Sequence, residues 1–177
     1  MLENHAFGNF VPKHSRYLIL GSFPVKQAVK GTNYDKTYDF FYSIKRNQFW
    51  PILEAVYGLE LATKAKKQQL LSRLGIAMAD IILKCTRTRG SNLDNNLSNF
   101  HYNLAAIKEI LDTHHIEKIY FTSCFVAKQF RKFFKAVIEA HPATELITLP
   151  SPSPRYALVS KEQKILMYKA LLPKHKT

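Results

Sequence analysis

The chain has 177 residues, 46% of them hydrophobic, and carries 26 Lys and Arg against 13 Asp and Glu, a formal net charge of +13. That hydrophobic share excludes a disordered chain, and no apolar run approaches the roughly 18–20 residues that a membrane-spanning helix needs. The basic excess favours a polyanionic partner, nucleic acid before an anionic membrane surface, with a merely solubilising charge as the alternative.

The length suits one domain spanning 1–177. "RYLILG" (16–21) reads as a short buried strand ended by Gly21. The segment 22–46, rich in Tyr, Phe and Lys, has little clean periodicity and reads as an active loop with at most one helical turn. "NQFWPILEAVYG" (47–58) has helical spacing, with Phe49, Ile52, Leu53 and Val56 on one face and Gly58 as its end. "TKAKKQQLLSRLG" (63–75) is a second helix, and "IAMADII" (76–82) a second strand. "KCTRTRGSNLDNNL" (84–97) reads as a polar loop. A helix over 102–115, a strand over 118–123 and a single helix over 124–140 follow. The strand "TELITLP" (144–150) and a closing helix over 160–172, capped by Ser160, complete the chain.

Alternating strands and helices predict a parallel sheet covered on both faces. In such folds ligands bind at the carboxyl ends of the strands. The sequence therefore directs attention to the residues after Leu20, Asp80, Phe121 and Leu149. After the first strand, Ser22 can hydrogen-bond a phosphate or a base edge, and Phe23 offers a ring for stacking; a tight turn with an inward Phe fits as well. The stretch 38–50 interleaves Phe40, Phe41, Tyr42, Phe49 and Trp50 with Lys45, Arg46 and Asn47. Five aromatics in that span exceed what one helix face buries, so they suggest a surface for a base and its phosphates, with core aromatics (Phe49 and Trp50 above all) and solvated cations as the alternative. Asp80, an acid in an apolar strand, must be paired or used; binding loop N–H groups is one way. Arg87, Arg89, Ser91 and Asn92 suit phosphate contacts or an ordinary solvated loop. In "LPSPSPRYA" (149–157), three prolines preorder the loop. Its Ser151 and Ser153 can donate to phosphate, and Arg155 and Tyr156 can push into a duplex. Cys85 and Cys124 form no paired motif, and the first residues lack a signal-peptide pattern, so reduced thiols in the cytoplasm are expected.

Together these segments resemble the uracil-DNA glycosylase superfamily, and within it the hypoxanthine-DNA (deoxyinosine) glycosylase branch. "LILGSFP" (18–24) is similar to the superfamily's first motif. "FYSIKRNQFWPIL" (41–53) and "GIAMADIILKCTRTRGSNLD" (75–94) are similar to segments of that branch. "LPSPSPRYA" resembles the second motif, the loop that wedges the duplex. The resemblance implies a three-layer α/β/α sandwich around a four-stranded, mainly parallel sheet. It implies a monofunctional DNA glycosylase that needs neither cofactor nor metal: a deaminated base, hypoxanthine or uracil, is flipped from DNA and its glycosidic bond hydrolysed. It further implies a monomer acting on DNA in the cytoplasm, associated with the nucleoid if bacterial, and no membrane.

Residue by residue, the resemblance makes Asn47 and Asp80 the catalytic pair, Asn47 as the water-orienting amide and Asp80 as the second-strand group that reads the base. Ser22, Phe23, Tyr42 and Ser123 are expected around the base. Arg46, Arg87, Ser91, Ser151, Pro152, Ser153, Arg155 and Tyr156 are expected on the DNA. The sequence departs from the family where Phe23 stands in place of the Asp or Asn of most uracil-specific branches, where "SIK" replaces x-His-Pro before Arg46, where "FTSC" (121–124) replaces Phe-Asn-Gly, and where Pro-Arg-Tyr ends the second motif. Those departures define the rival reading, a catalytically weakened DNA-binding member of the same fold.

Overall fold

The computed structural model describes residues 2–26, 38–88 and 93–174. Its central sheet contains β2 (Tyr17–Gly21), β3 (Ile76–Asp80), β6 (Lys118–Phe121) and β7 (Glu145–Thr148) in the order β3-β2-β6-β7. Every neighbouring pair is parallel, as the alternation of strands and helices predicts. Side chains one residue apart point to opposite faces of a strand, so each of these strands feeds two cores.

On one face, Leu18, Leu20, Ala77, Ala79, Ile119 and Phe121 pack on helices α3 (Leu104–Thr113), α4 (Cys124–Phe133) and α5 (Lys135–Ala140). On the other, Ile19, Ile76, Met78 and Tyr120 meet α1 (Phe49–Tyr57), α2 (Lys64–Leu74) and α6 (Lys161–Leu171). The result is a three-layer α/β/α sandwich.

Local chemistry sets the helix limits. Pro51 falls in the first turn of α1, where the backbone N–H it lacks has no intrahelical acceptor. Thr63 caps α2 by accepting from the Lys66 N–H. Ser160 and Gln163 form a reciprocal capping box on α6. The predicted single helix over 124–140 is divided at Phe134, whose φ of −112° and ψ of 28° leave the helical range. Phe134 is fully buried and stacks on Phe130, so packing holds the break.

The polar loop expected over 84–97 begins and ends in strands. β4 (Ile82–Arg87) pairs antiparallel with β1 (Leu2–Asn4) and with β5 (Leu97–Tyr102), giving a second sheet of order β1-β4-β5. Its inward residues Ile82, Cys85 and Leu97 join the α3–α4–α5 core. The remaining side chains of β4 and β5 are exposed or half-buried, so the apolar alternation that identifies a strand is missing. Ser91, with Arg89 and Asn92, lies outside the described residues.

β2 is followed by α1 and α2 on one face, while its neighbour β6 is followed by α4 on the other. The chain leaves these adjacent strands in opposite directions, and a crevice opens at their carboxyl ends.

Candidate functional site

A cleft of about 980 Å³ occupies that position. It is lined from all four strand ends: Ser22 and Phe23 after β2, Asp80 at the end of β3, Thr122 and Ser123 after β6, and Ser151, Pro152, Ser153 and Arg155 after β7. Tyr42, Arg46 and Asn47 come from the connection before α1 and complete the wall. Eleven of the fourteen residues expected at the site thus share one cavity. Arg87 and Tyr156 do not line it, and Ser91 lies outside the described residues.

Gly21 and Asp80 are paired across β2 and β3. A Cβ on Gly21 would stand 2.2 Å from Asp80 Oδ1 and 2.4 Å from the Tyr42 hydroxyl oxygen. Glycine therefore makes room for a carboxylate and a phenol to converge. Tyr42 reaches this point from a left-handed backbone conformation, φ 56°. Its hydroxyl is 2.9 Å from Thr122 Oγ1, and its ring stacks on Phe49 at 4.6 Å. Burial, and secondarily the charge of Asp80, push the Tyr42 phenol well above its ordinary range.

Asp80 is 5% exposed and is paired, though not with loop N–H groups: His5 Nε2 lies 2.9 Å from its Oδ2. His5 follows β1 and is held by its own N–H, which donates to the Leu83 carbonyl. Sequence reasoning missed it because the partners are 75 residues apart in the chain. It also missed Asp94 as a lining residue, although "SNLD" was part of the family resemblance. Asp94 accepts a 2.7 Å hydrogen bond from Ser22 Oγ. Burial raises its carboxyl above the usual range, the Ser22 hydrogen bond draws it back, the Asp80 charge raises it further and Arg87 lowers it.

The aromatic stretch is mostly core. Phe40, Phe49 and Trp50 are 3%, 0% and 4% exposed, and the Trp50 indole N–H donates to the Phe41 carbonyl. Of the five, only Phe41 and Tyr42 line the cleft. The surface expected of them is therefore corrected: a hydrophobic cluster between α1 and the sheet takes up the other three. Lys45 and Arg46 remain exposed at the rim.

Asn47 Oδ1 accepts from the Phe49 N–H at 2.8 Å, satisfying an orphan donor at the start of α1. That bond sets which end of the amide is oxygen and leaves its second lone pair and its N–H₂ group for the cleft.

The loop after β7 is tied at successive carbonyls. Pro150 accepts from the Tyr168 hydroxyl, Pro152 from the Gln48 N–H, and Ser153 from Lys164 Nζ. Ser151 and Ser153 side-chain oxygens accept from the N–H groups of Ser153 and Arg155. Their O–H donors remain available. Lys164 is only 1% exposed, and its ammonium also donates to Gln48 Oε1 at 2.9 Å. Burial lowers its pKa. One lysine therefore joins the proline-rich loop to the start of α1, next to Asn47.

Arg87 needs correction as a DNA contact. Its side chain is 2% exposed, its Nε donates to Glu3 and its Nη2 to the Pro24 carbonyl. It stands over the Phe23 ring at 5.8 Å, so it buttresses the cleft wall. Tyr156 is half-buried, with Lys164 Nζ 5.4 Å from its ring centroid. Among the described residues there is no group of three or more His, Cys, Asp or Glu that could hold a metal ion, and no helix is long and apolar enough to cross a membrane.

Fold and cleft define a three-layer α/β/α protein with a cavity at the switch point of its parallel sheet, the place where such folds bind ligands. A solution NMR structure from Methanosarcina acetivorans, of a protein named as a candidate uracil DNA glycosylase, has a similar fold: TM-score 0.66, 18% identity, covering 97% of this chain and 96% of that one. No family model and no curated protein matches the chain.

Proposed function

We propose that the protein is a DNA glycosylase that flips a deaminated base, hypoxanthine or uracil, into the cleft and hydrolyses its N-glycosidic bond. The observation that carries this reading is the convergence of Asn47, Asp80, Phe23 and the serine-proline loop on one cavity. In such a reaction the sugar becomes cationic and the base departs as an anion. The protein must hold the base, stabilise that charge and position one water.

Asp80 accepts from the base, Phe23 stacks on it, and Ser22, Tyr42 and Ser123 surround it. Asn47 orients the water through the groups that Phe49 leaves free. Ser151, Pro152, Ser153, Arg46 and Arg155 grip the backbone, with Tyr156 beside the duplex. The net charge of +13 supports a DNA partner.

The second reading, a DNA-binding member that has lost turnover, rests on Phe23. It is 9% exposed and occupies the place where an acid would activate water. Single-turnover release from oligonucleotides carrying hypoxanthine, uracil or xanthine, as single strand and duplex, separates the two. Release that disappears in Asn47→Ala supports the glycosylase. Salt-sensitive DNA binding without release from any of them supports the second reading.

A further inference from the structure

We propose that His5 is a positioning residue for Asp80, and that the pair selects bases presenting an N–H to the cleft. This inference rests on the glycosylase reading. His5 and Asp80 side chains are 9% and 7% exposed. The imidazole Nε2 is 2.9 Å from Asp80 Oδ2, and Nδ1 is hydrogen-bonded to the Phe7 carbonyl oxygen. The Phe7 N–H also lies 3.4 Å from Nδ1, at the outer limit of a hydrogen bond. Asp80 Oδ2 accepts, so the ring donates to it from Nε2. The ring is held edge-on by Phe7 at 5.2 Å and Phe23 at 5.8 Å.

His5 thus engages Oδ2 and fixes the carboxylate plane. Oδ1 is left beside Gly21 and the Tyr42 hydroxyl, and Asp80 lines the cleft. An ionised carboxylate is an acceptor only. It complements the ring N–H of the lactam bases hypoxanthine and uracil. It repels the bare ring nitrogen that adenine and cytosine carry at the same edge. Deamination is the change that converts one pattern into the other, so a fixed acceptor distinguishes the lesion from the normal base.

The test compares wild type, His5→Phe and His5→Gln on oligonucleotides carrying hypoxanthine or 1-methylhypoxanthine, which lacks the N–H. Single-turnover release and binding are both measured. Wild type is expected to favour hypoxanthine. His5→Phe, which keeps a ring but loses the Nε2 donor, should release hypoxanthine about 10–100-fold more slowly, the scale found when the group that orients a metal-ligating side chain is removed. Its preference over the methylated base should shrink to a few-fold. His5→Gln should restore much of both.

Unchanged rate and preference in folded His5→Phe would overturn the inference. So would a wild type that releases both bases equally, which leaves the glycosylase reading standing. A wild type that neither releases nor preferentially binds any lesion removes the glycosylase reading, and this inference with it. If His5→Phe does not fold, the ¹⁵N spectrum of wild-type His5 decides. A protonated Nε2 that responds to Asp80→Asn supports the pairing, and an unprotonated Nε2 overturns it.

Discussion

The two walls of the cleft are built differently. The wall at the end of β3 holds its polar groups by charge and burial: Asp80 against His5, Asp94 against Ser22, and Tyr42 against Thr122. The wall formed by the loop after β7 and the start of α1 is tied mainly through backbone carbonyls, and its Arg46 and Arg155 are exposed. Buried, fixed polar groups suit the reading of one small planar ligand, because in a low dielectric each unmatched group is costly. Exposed cations and free hydroxyls suit a polyanion, whose recognition needs position more than discrimination.

The largest expected effect falls where the walls meet. Asn47→Ala should slow base release about 10²–10³-fold, the scale for removing one preorganised polar group from a reaction centre, while DNA affinity measured by anisotropy stays near wild type. Equal loss of affinity and rate would make Asn47 part of the gripping wall.

Gly21→Ala breaks the reading wall sterically. The new methyl meets Asp80 Oδ1 and the Tyr42 hydroxyl oxygen, so we expect a loss of about 1–3 kcal/mol in stability together with loss of lesion discrimination. Denaturant titration and competitive binding check the two parts. Lys164→Met tests the other wall. The Ser153 carbonyl and Gln48 amide oxygen lose their donor, which costs about 1–3 kcal/mol for groups left unsatisfied. DNA affinity should fall with little change in discrimination among bound bases.

Tyr168→Phe removes the hydroxyl that holds the Pro150 carbonyl, a loss of about 1 kcal/mol. It should also alter the alkaline behaviour. Burial raises the phenols of Tyr38, Tyr42, Tyr57, Tyr120 and Tyr168 above their ordinary value. Their stabilising contribution is complete below about pH 10, the unfolded value, and is lost as pH rises from there toward the folded values. Stability should therefore fall above pH 10, less steeply in Tyr168→Phe, as followed by chemical denaturation. The smallest effect is expected of Ser151→Ala with Ser153→Ala: DNA affinity a few-fold weaker, by a similar factor for damaged and undamaged duplex.

How well each wall could be read from the sequence follows the same division. The loop after β7 is contiguous, and its prolines and serines declare it. The central strands were legible because Leu18, Ile19 and Leu20 are buried on both faces, giving an unbroken apolar run. The second sheet was not, since "ILKCTR" and "LSNFHY" expose or half-bury most of their side chains. Its absence hid what it carries: β1 delivers His5 to Asp80 and Glu3 to Arg87. A basic residue in a polar stretch reads as a phosphate contact when its acidic partner lies 84 positions away.

The antiparallel pairing of β1 with β4 joins Leu2 to Thr86. Closing so long a loop carries a large entropic cost before any contact rewards it. The carboxylate of Asp80 therefore has no imidazole beside it until residues 2–5 return to a sheet edge laid down much later in synthesis. Completion of the β1–β4 pairing and completion of the Asp80 end of the cleft thus become the same event.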